Sequence, residues 1–384
     1  MKPTILLVSF VFSPNLGGIE THLDDLCTQL TQKGHVVTAI TYQPLISSVS
    51  APIVENHDRL TIIRIPWFKG NLYNKLKNNP FGQILYLVPP ILLCSLVYLF
   101  MNRRSIRVIQ THGFIMAIVG AILSFVSGIP FTVHTHVSFH FRKNSFYARI
   151  LGRMVGRAKR VFVLTEEAKL ALETIGIKRE IISVYHYWVD AVFYPRGKAA
   201  SRKKLGLPGN GFIILFVGRF IFDKGVDILL KTTEKLQHPA LFVFVGSGLL
   251  EKDVNYYAIH KKNVRNVGVM TRENLPFCYS AADVCVIPSR LRESVYSEGI
   301  PRVMIESFSC GTPVVSTKAG GLKTYITTNV GFIIQPDVSS LVKKLSWIVK
   351  NRSVLPSMSH HCISLSHSEF SMKRNLGIIE ASLS

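Results

Sequence analysis

Two glutamates, Glu298 and Glu306, stand eight positions apart in the stretch EGIPRVMIE. Ile300-Pro301 suits the entry to a helix, because proline fits the first helical position, and Gly311 supplies the helix end. Glu298 then lies just ahead of that helix, whose leading amides and dipole can cradle an anion such as a diphosphate. Glu306 follows more than a turn later, among Val303, Met304, Ile305 and Phe308. A partly buried carboxylate needs donors, and the neighbouring hydroxyls of a ribose would satisfy both its oxygens. Glu298 could hold hydroxyls of a sugar beyond the phosphates. The same pair also reads as a dipole-favoured surface acid and a salt-bridged one. A third reading, the acid and nucleophile of a glycosidase, needs facing carboxyls at a defined separation, which spacing along one chain does not establish.

Other residues invite chemistry too. Gly17 and Gly18, in PNLGGIE, let the backbone approach a ligand closely after the first strand, or form an ordinary tight turn. The stretch TVHTHVSFH offers His134, His136 and His140. Alternation along a strand gives His134 and His136 a shared face, with His140 beyond the strand end. No carboxylate or cysteine at ligand spacing completes a metal site there. The glycines of VGSG, Gly246 and Gly248, fall short of a full dinucleotide fingerprint.

The elements that must position these residues follow from the whole chain. Its 384 residues exceed one typical core and predict two domains, and 48% hydrophobic residues argue for packed globular structure. Six scattered cysteines without a CxxC pair read as reduced thiols in a cytosolic compartment. The 45 Lys and Arg against 23 Asp and Glu give a net charge of +22, suited to nucleic acid, an anionic leaflet or polyanionic substrates. Without zinc-finger spacing or RNP-like aromatics, nucleic acid is set aside as a partner. Near the C-terminus, KKLSWIVKNR has the pattern of an amphipathic helix with a solvated face. The opening apolar run lacks a small-x-small cleavage site and reads as a buried strand, Ile5 to Phe12, leading through a glycine loop to a helix from about Glu20.

Strand and helix patterns alternate from there, with an apolar helix over Phe114 to Ser127. Residues 194–210, rich in charge, Pro and Gly, read as a linker, after which the alternation restarts. The expected class is α/β, with two doubly wound sheets facing each other across a cleft and ligands at the carboxyl ends of the strands. The expected domains are 1–194 and 195–365, with a C-terminal helix in 366–384 packing back on the first. Ile84 to Met101 is nearly long enough to cross a bilayer, but Pro89 and Pro90 interrupt it, so a buried or interfacial helix is expected. Arg103, Arg104 and Arg107 follow it and suit an anionic leaflet.

The stretch SEGIPRVMIESFSCGTPVVSTKAGG resembles the signature of the retaining family 4 glycosyltransferases, which have the GT-B fold of two Rossmann-like domains. PNLGGIETHLDDL is similar to the family's first glycine loop, and VGRFIFDKGVDILL to its phosphate-binding segment. FVGSGLL, VRNVGVM and YSAADVCVIPS resemble its connecting strands, so the likeness covers nearly the whole chain. It implies a donor site of Gly17, Gly18, Arg219, Lys224, Met270, Glu298, Gly299, Ile300, Pro301 and Glu306. Arg219 and Lys224 would neutralise the leaving diphosphate. Apart from the resemblance, they read as a strand-end cation and a helix-start lysine. Catalytic roles are implied for His134, Glu298, Arg219 and Lys224, with His136 as the reserve for the histidine near the reacting sugar. Two departures are YHYWVD, with Tyr187 and Trp188 where an Asn-containing turn is usual, and GGLKTYI, with Lys323 and Thr324 where a Glu is usual.

The resemblance further implies sugar transfer from a UDP- or GDP-sugar with retention. With no obvious nucleophile for double displacement, same-face attack is favoured, the departing phosphate helping to deprotonate the acceptor. No DxD triplet offers a metal site, so neither metal nor other cofactor is expected. The acceptor is expected to be lipid-linked or a membrane-surface glycan, and the protein cytoplasmic and peripheral on the cytoplasmic face of a membrane. A nucleotide-sugar epimerase and a catalytically silent binding subunit are the alternatives on this architecture.

Overall fold

Strands buried on both faces need continuous apolar runs, and both halves of the sequence supply them. The computed structural model describes residues 2–15, 17–45, 49–68, 72–76, 79–139, 146–290 and 296–383. The chain divides into two compact units, Met1–His186 with Ser294–Gly299 and Lys373–Ser384, and Tyr187–Glu293 with Ile300–Met372.

Through the first unit the chain forms β1 (Thr4–Ser9), α1 (Gly18–Gln32), β2 (Val36–Tyr42), β3 (Val54–Asn56), β4 (Leu60–Ile65), α2 (Leu72–Lys75) and α3 (Pro80–Asn102). It continues with β5 (Ile106–His112), α4 (Met116–Ser127), β6 (Phe131–His134), β7 (Val137–Phe139), α5 (Phe146–Val155), β8 (Arg160–Val163), α6 (Glu166–Glu173) and β9 (Ile182–Val184). Among the described residues an eight-stranded sheet runs β3-β4-β2-β1-β5-β6-β8-β9, parallel except at β3. Strand order reverses between β1 and β5, which makes the carboxyl ends of those two strands the ligand-binding switch point. Ile109, Phe131 and Val133 pack in one core with Met116 and Leu123 of α4.

Helix α3 runs through both prolines, where the sequence suggested an interruption. Pro90 cannot donate to the Tyr86 carbonyl four residues earlier, but the Trp67 indole N–H does so at 3.0 Å. The carbonyl of Leu85, deprived by Pro89, belongs to an exposed residue that water can serve.

The second unit carries α7 (Lys198–Lys204), β10 (Phe212–Val217), α8 (Val226–Lys235), β11 (Ala240–Val245), α9 (Glu251–His260), β12 (Val264–Asn266), α10 (Leu275–Ala281) and β13 (Val284–Ile287). Next in the chain comes β14 (Tyr296–Glu298), within the first unit, then α11 (Arg302–Ser309), β15 (Val314–Thr317), α12 (Leu322–Tyr325), β16 (Gly331–Ile334), α13 (Val338–Lys350) and α14 (Leu355–Glu369) in the second, and last α15 (Met372–Glu380), which from Lys373 belongs to the first. The second sheet is parallel in the order β12-β11-β10-β13-β15-β16, with its switch point between β10 and β13.

The expected linker carries one buried anchor. Arg202, in α7, donates to the Ala281 carbonyl at 3.0 Å, to the Gly209 carbonyl at 2.8 Å and to Asp283 at 2.9 Å. Asp283 in turn accepts from the Ile213 amide at 2.7 Å and from Lys198 at 2.8 Å. The second compact unit begins at Tyr187, and Phe193 packs on Tyr279 within it, with ring centroids 6.3 Å apart. Residues 366–384 are divided. Phe370 packs on Tyr325 in the second unit, whereas Asn375 accepts the His186 amide at 2.7 Å and Glu380 pairs with Lys33 in the first.

Candidate functional site

At the switch point of the first unit the chain leaves β1 toward Gly17, the extended residue that caps α1, and Gly18, the first residue of that helix. A methyl group on Gly17 would lie 2.3 Å from a carboxylate oxygen of Glu20, so the chain's own acid folds over this helix end. An incoming phosphate would have to displace it. Beside it, parallel register aligns His112 of β5, His134 of β6 and Phe162 of β8 in one row.

His134 is stacked between its two neighbours, with ring centroids 4.4 Å from His112 and 4.5 Å from Phe162, and Tyr185 meets it edge-on at 5.8 Å. It is 0% exposed, and its Nδ1 has no hydrogen-bond partner among the described residues. Of the two histidines His134 is the more enclosed, and His136 is the nearer to solvent. His136 is past the strand end and 5% exposed, with Nε2 3.2 Å from Nδ1 of His112. One of those nitrogens must donate and the other accept, which requires the accepting ring to be neutral. Burial lowers the pKa of His136 to about 3 and drives His112 and His134 well below the usual histidine value, with neighbouring imidazoles adding to the effect on those two. Tyr185 reaches Nε2 of His22, from α1, at 3.3 Å.

The reserve histidine has a second distinction. Strand β14 pairs antiparallel with β7, placing Glu298 opposite Val137, the residue after His136. A Cβ on Gly299 would come within 2.9 Å of the His136 carbonyl oxygen and 2.7 Å of Leu164, a close approach that needs glycine. The backbone of the first glutamate therefore runs beside that of His136. Its side chain lies outside the described residues, as does His140.

In the second unit, Arg219 is exposed just past the end of β10, and Lys224 closes the short 3-10 turn Phe222–Lys224 ahead of α8. Gly225 caps that helix at φ 70°, and a side chain there would meet the Pro288 carbonyl oxygen at 2.1 Å. Arg290, beyond β13, braces the turn: its amide donates to the Asp223 carbonyl at 2.9 Å, and its guanidinium grips both oxygens of Asp227 at 2.6 Å. Burial opposes ionisation of Asp227, but hydrogen bonds and charge from Arg290 outweigh it and lower its pKa. The basic loop is thus held rigidly at the switch point.

Met270 follows β12, half-buried, at the same carboxyl edge of the sheet. Ile300 and Pro301 are buried, and Pro301 occupies the cap position of α11 rather than its first turn, with no side chain capping that end. Glu306 is nearly buried on α11. Its Oε2 accepts the Tyr279 hydroxyl at 2.7 Å, and its Oε1 faces Arg302 at 3.8 Å. A ribose would therefore share this carboxylate with Tyr279 instead of satisfying both oxygens alone.

The sequence reading passed over Tyr279, Arg290 and the His22, His112, Tyr185 group. The repeated Thr-His at residues 111–112 and 135–136 was a usable signal for the histidines. Among the described residues no group of three or more His, Cys, Asp or Glu is arranged to hold a metal ion.

Known proteins match this arrangement along its length. The family model described as Glycosyltransferase Family 4 matches residues 16–193, and that described as Glycosyl transferases group 1 matches residues 197–364. The D-inositol 3-phosphate glycosyltransferase of Mycolicibacterium smegmatis is 29% identical over 342 residues, which is 82% of this chain and 74% of that protein. Among solved structures, sucrose-phosphate synthase from Thermosynechococcus elongatus has a TM-score of 0.77 at 21% identity, covering 99% of this chain and 98% of that one. Anabaena Alr3699/HepE, solved in complex with UDP, has a TM-score of 0.76 at 20% identity, covering 100% and 99%. With residues 16–193 and 197–364 matched, the chain belongs to the family 4 glycosyltransferases of GT-B fold.

Proposed function

We propose that this glycosyltransferase moves a sugar from a UDP- or GDP-sugar to a hydroxyl of a lipid-linked or membrane-surface glycan, with retention and without a metal. In this reading Arg219 and Lys224 take the diphosphate, together with the amides leading into α11. Glu306 binds the ribose, Glu298 holds the transferred sugar, and His136 borders it. The acceptor oxygen attacks the anomeric carbon on the face the diphosphate leaves. The carbon–oxygen bond to the leaving phosphate breaks, and that phosphate receives the acceptor's proton. Stabilising charge that grows on the diphosphate is the main contribution of the protein. The observation that supports this most is Glu306, a nearly buried carboxylate held by Tyr279 on a helix whose leading end no side chain caps. A structural neighbour solved with UDP-glucose makes uridine the first base to try. Six unpaired cysteines suit work at the cytoplasmic face of a membrane.

The test is acceptor-dependent nucleotide release from UDP- and GDP-sugars, with lipid-linked acceptors in one arm and D-inositol 3-phosphate in another, with and without chelator. Release should survive the chelator and fall by roughly a hundredfold or more in Lys224→Ala and Glu298→Ala with folding intact. Sugar interconversion without nucleotide release would identify an epimerase, and donor binding with neither would identify a silent subunit.

A further inference from the structure

Helix α3 buries Leu87, Ile91 and Leu99 in the core and turns an opposite, apolar face to solvent. Phe81, Leu85, Leu93, Val97, Phe100 and Met101 are all exposed there, Leu85 by 77% and Met101 by 79%. They recur at near four-residue intervals, with exposed Pro89 between, as a stripe about 30 Å long. No charged residue occurs within the helix. Arg103 donates to the Ser127 carbonyl at 3.0 Å and ties the end of α3 to that of α4, whose last turn carries Phe125, 81% exposed. Exposed Arg104 and Arg107 complete a basic rim. An apolar surface of this extent in a soluble unit calls for something to cover it.

We infer that the stripe docks the first unit in the plane of an anionic lipid leaflet, with its side chains among the acyl chains and Arg103, Arg104 and Arg107 at the phosphates. Length and composition alone would let α3 cross a bilayer. Its inner face forbids it: the Tyr42 hydroxyl donates to the Leu87 carbonyl at 2.6 Å, Thr38 and Tyr98 hydroxyls bond at 2.7 Å, and the buried leucines belong to the domain core. A lipid surface fits both parts of the patch, offering hydrocarbon to the stripe and anionic headgroups to the rim of a protein with net charge +22. A purely apolar partner would leave the rim unmatched. The docking rests on this surface alone, whereas its use in presenting a lipid-linked acceptor rests on the function proposed above.

The experiment is co-sedimentation of the full chain with vesicles of phosphatidylglycerol and phosphatidylcholine, or of phosphatidylcholine alone, at low and high salt. Wild type should bind the anionic vesicles at low salt. Leu85→Glu with Leu93→Glu should lower partitioning by roughly a hundredfold, and Arg104→Glu with Arg107→Glu by roughly tenfold or more on anionic vesicles only. Nucleotide binding, titrated in parallel, should stay unchanged in both, since all four residues lie in the first unit. Failure of wild type to bind, or undiminished binding by the leucine variant, would overturn the docking. So would a dimer that the leucine variant dissolves while vesicles are ignored. Vesicle binding by a protein that releases no nucleotide would uphold the docking and overturn the proposed reaction instead.

Discussion

Acidification should loosen the first unit through its histidines. His112, His134 and His136 are buried and neutral, and protonating the accepting nitrogen of the His112–His136 pair would set two N–H groups against each other across 3.2 Å. Their native pKa values lie below the ordinary 6.5, so between the native and unfolded values the unfolded chain holds more protons than the native one. Stability is then fully present above the unfolded value and is lost as pH falls toward the native one. From about pH 7 to about pH 5.5, each such imidazole costs about 1.3 kcal/mol, and the three together about 4 kcal/mol. Hydrogen exchange of peptides covering β5 and β6, corrected for intrinsic rates, reads this locally as a roughly thousandfold loss of protection. Replacing His134 with Phe, which keeps an aromatic ring between His112 and Phe162, should remove about a third of the free-energy change. A wild-type change of less than about 1 kcal/mol, or a His134→Phe variant with the full dependence, would refute burial of neutral rings as the cause.

Tyr279→Phe removes the hydroxyl on Glu306, and a hydrogen bond to a charged group lost there should weaken nucleotide binding by roughly tenfold or more in a calorimetric titration. Unchanged affinity would separate Glu306 from the ribose. Gly225→Ala puts a methyl group against the Pro288 carbonyl at a left-handed φ, and should destabilise the second unit by more than about 2 kcal/mol in urea unfolding. Arg202→Met leaves Asp283 nearly buried without its guanidinium, and should cost about 3 kcal/mol in the same assay even though the residue falls in a stretch of linker-like composition.

What was legible in the sequence was whatever local pattern encodes. Apolar runs bounded by glycine predicted both sheets, and the α11 entry and stop were visible in Pro301 and Gly311, to within a residue. Residues 194–210 misled because composition reports solvation on average, while a single arginine can pin a charged stretch to a carboxylate 81 positions away. The surroundings of the histidines were hidden for a related reason. Period-two alternation gives His134 and His136 one face, but it does not say where β6 ends or which rings from β5 and β8 enclose its last residue. That depends on register between strands, which no spacing within one strand contains. The pairing of β14 with β7 is more remote still, two three-residue strands too short to show any period. For α3 the two prolines pointed toward a break, and an indole from outside the helix decided otherwise. Each of these misreadings concerns a polar group whose partner comes from elsewhere in the chain. Hydrophobic pattern carries the architecture of this transferase, and long-range pairing sets the surroundings of its titratable side chains.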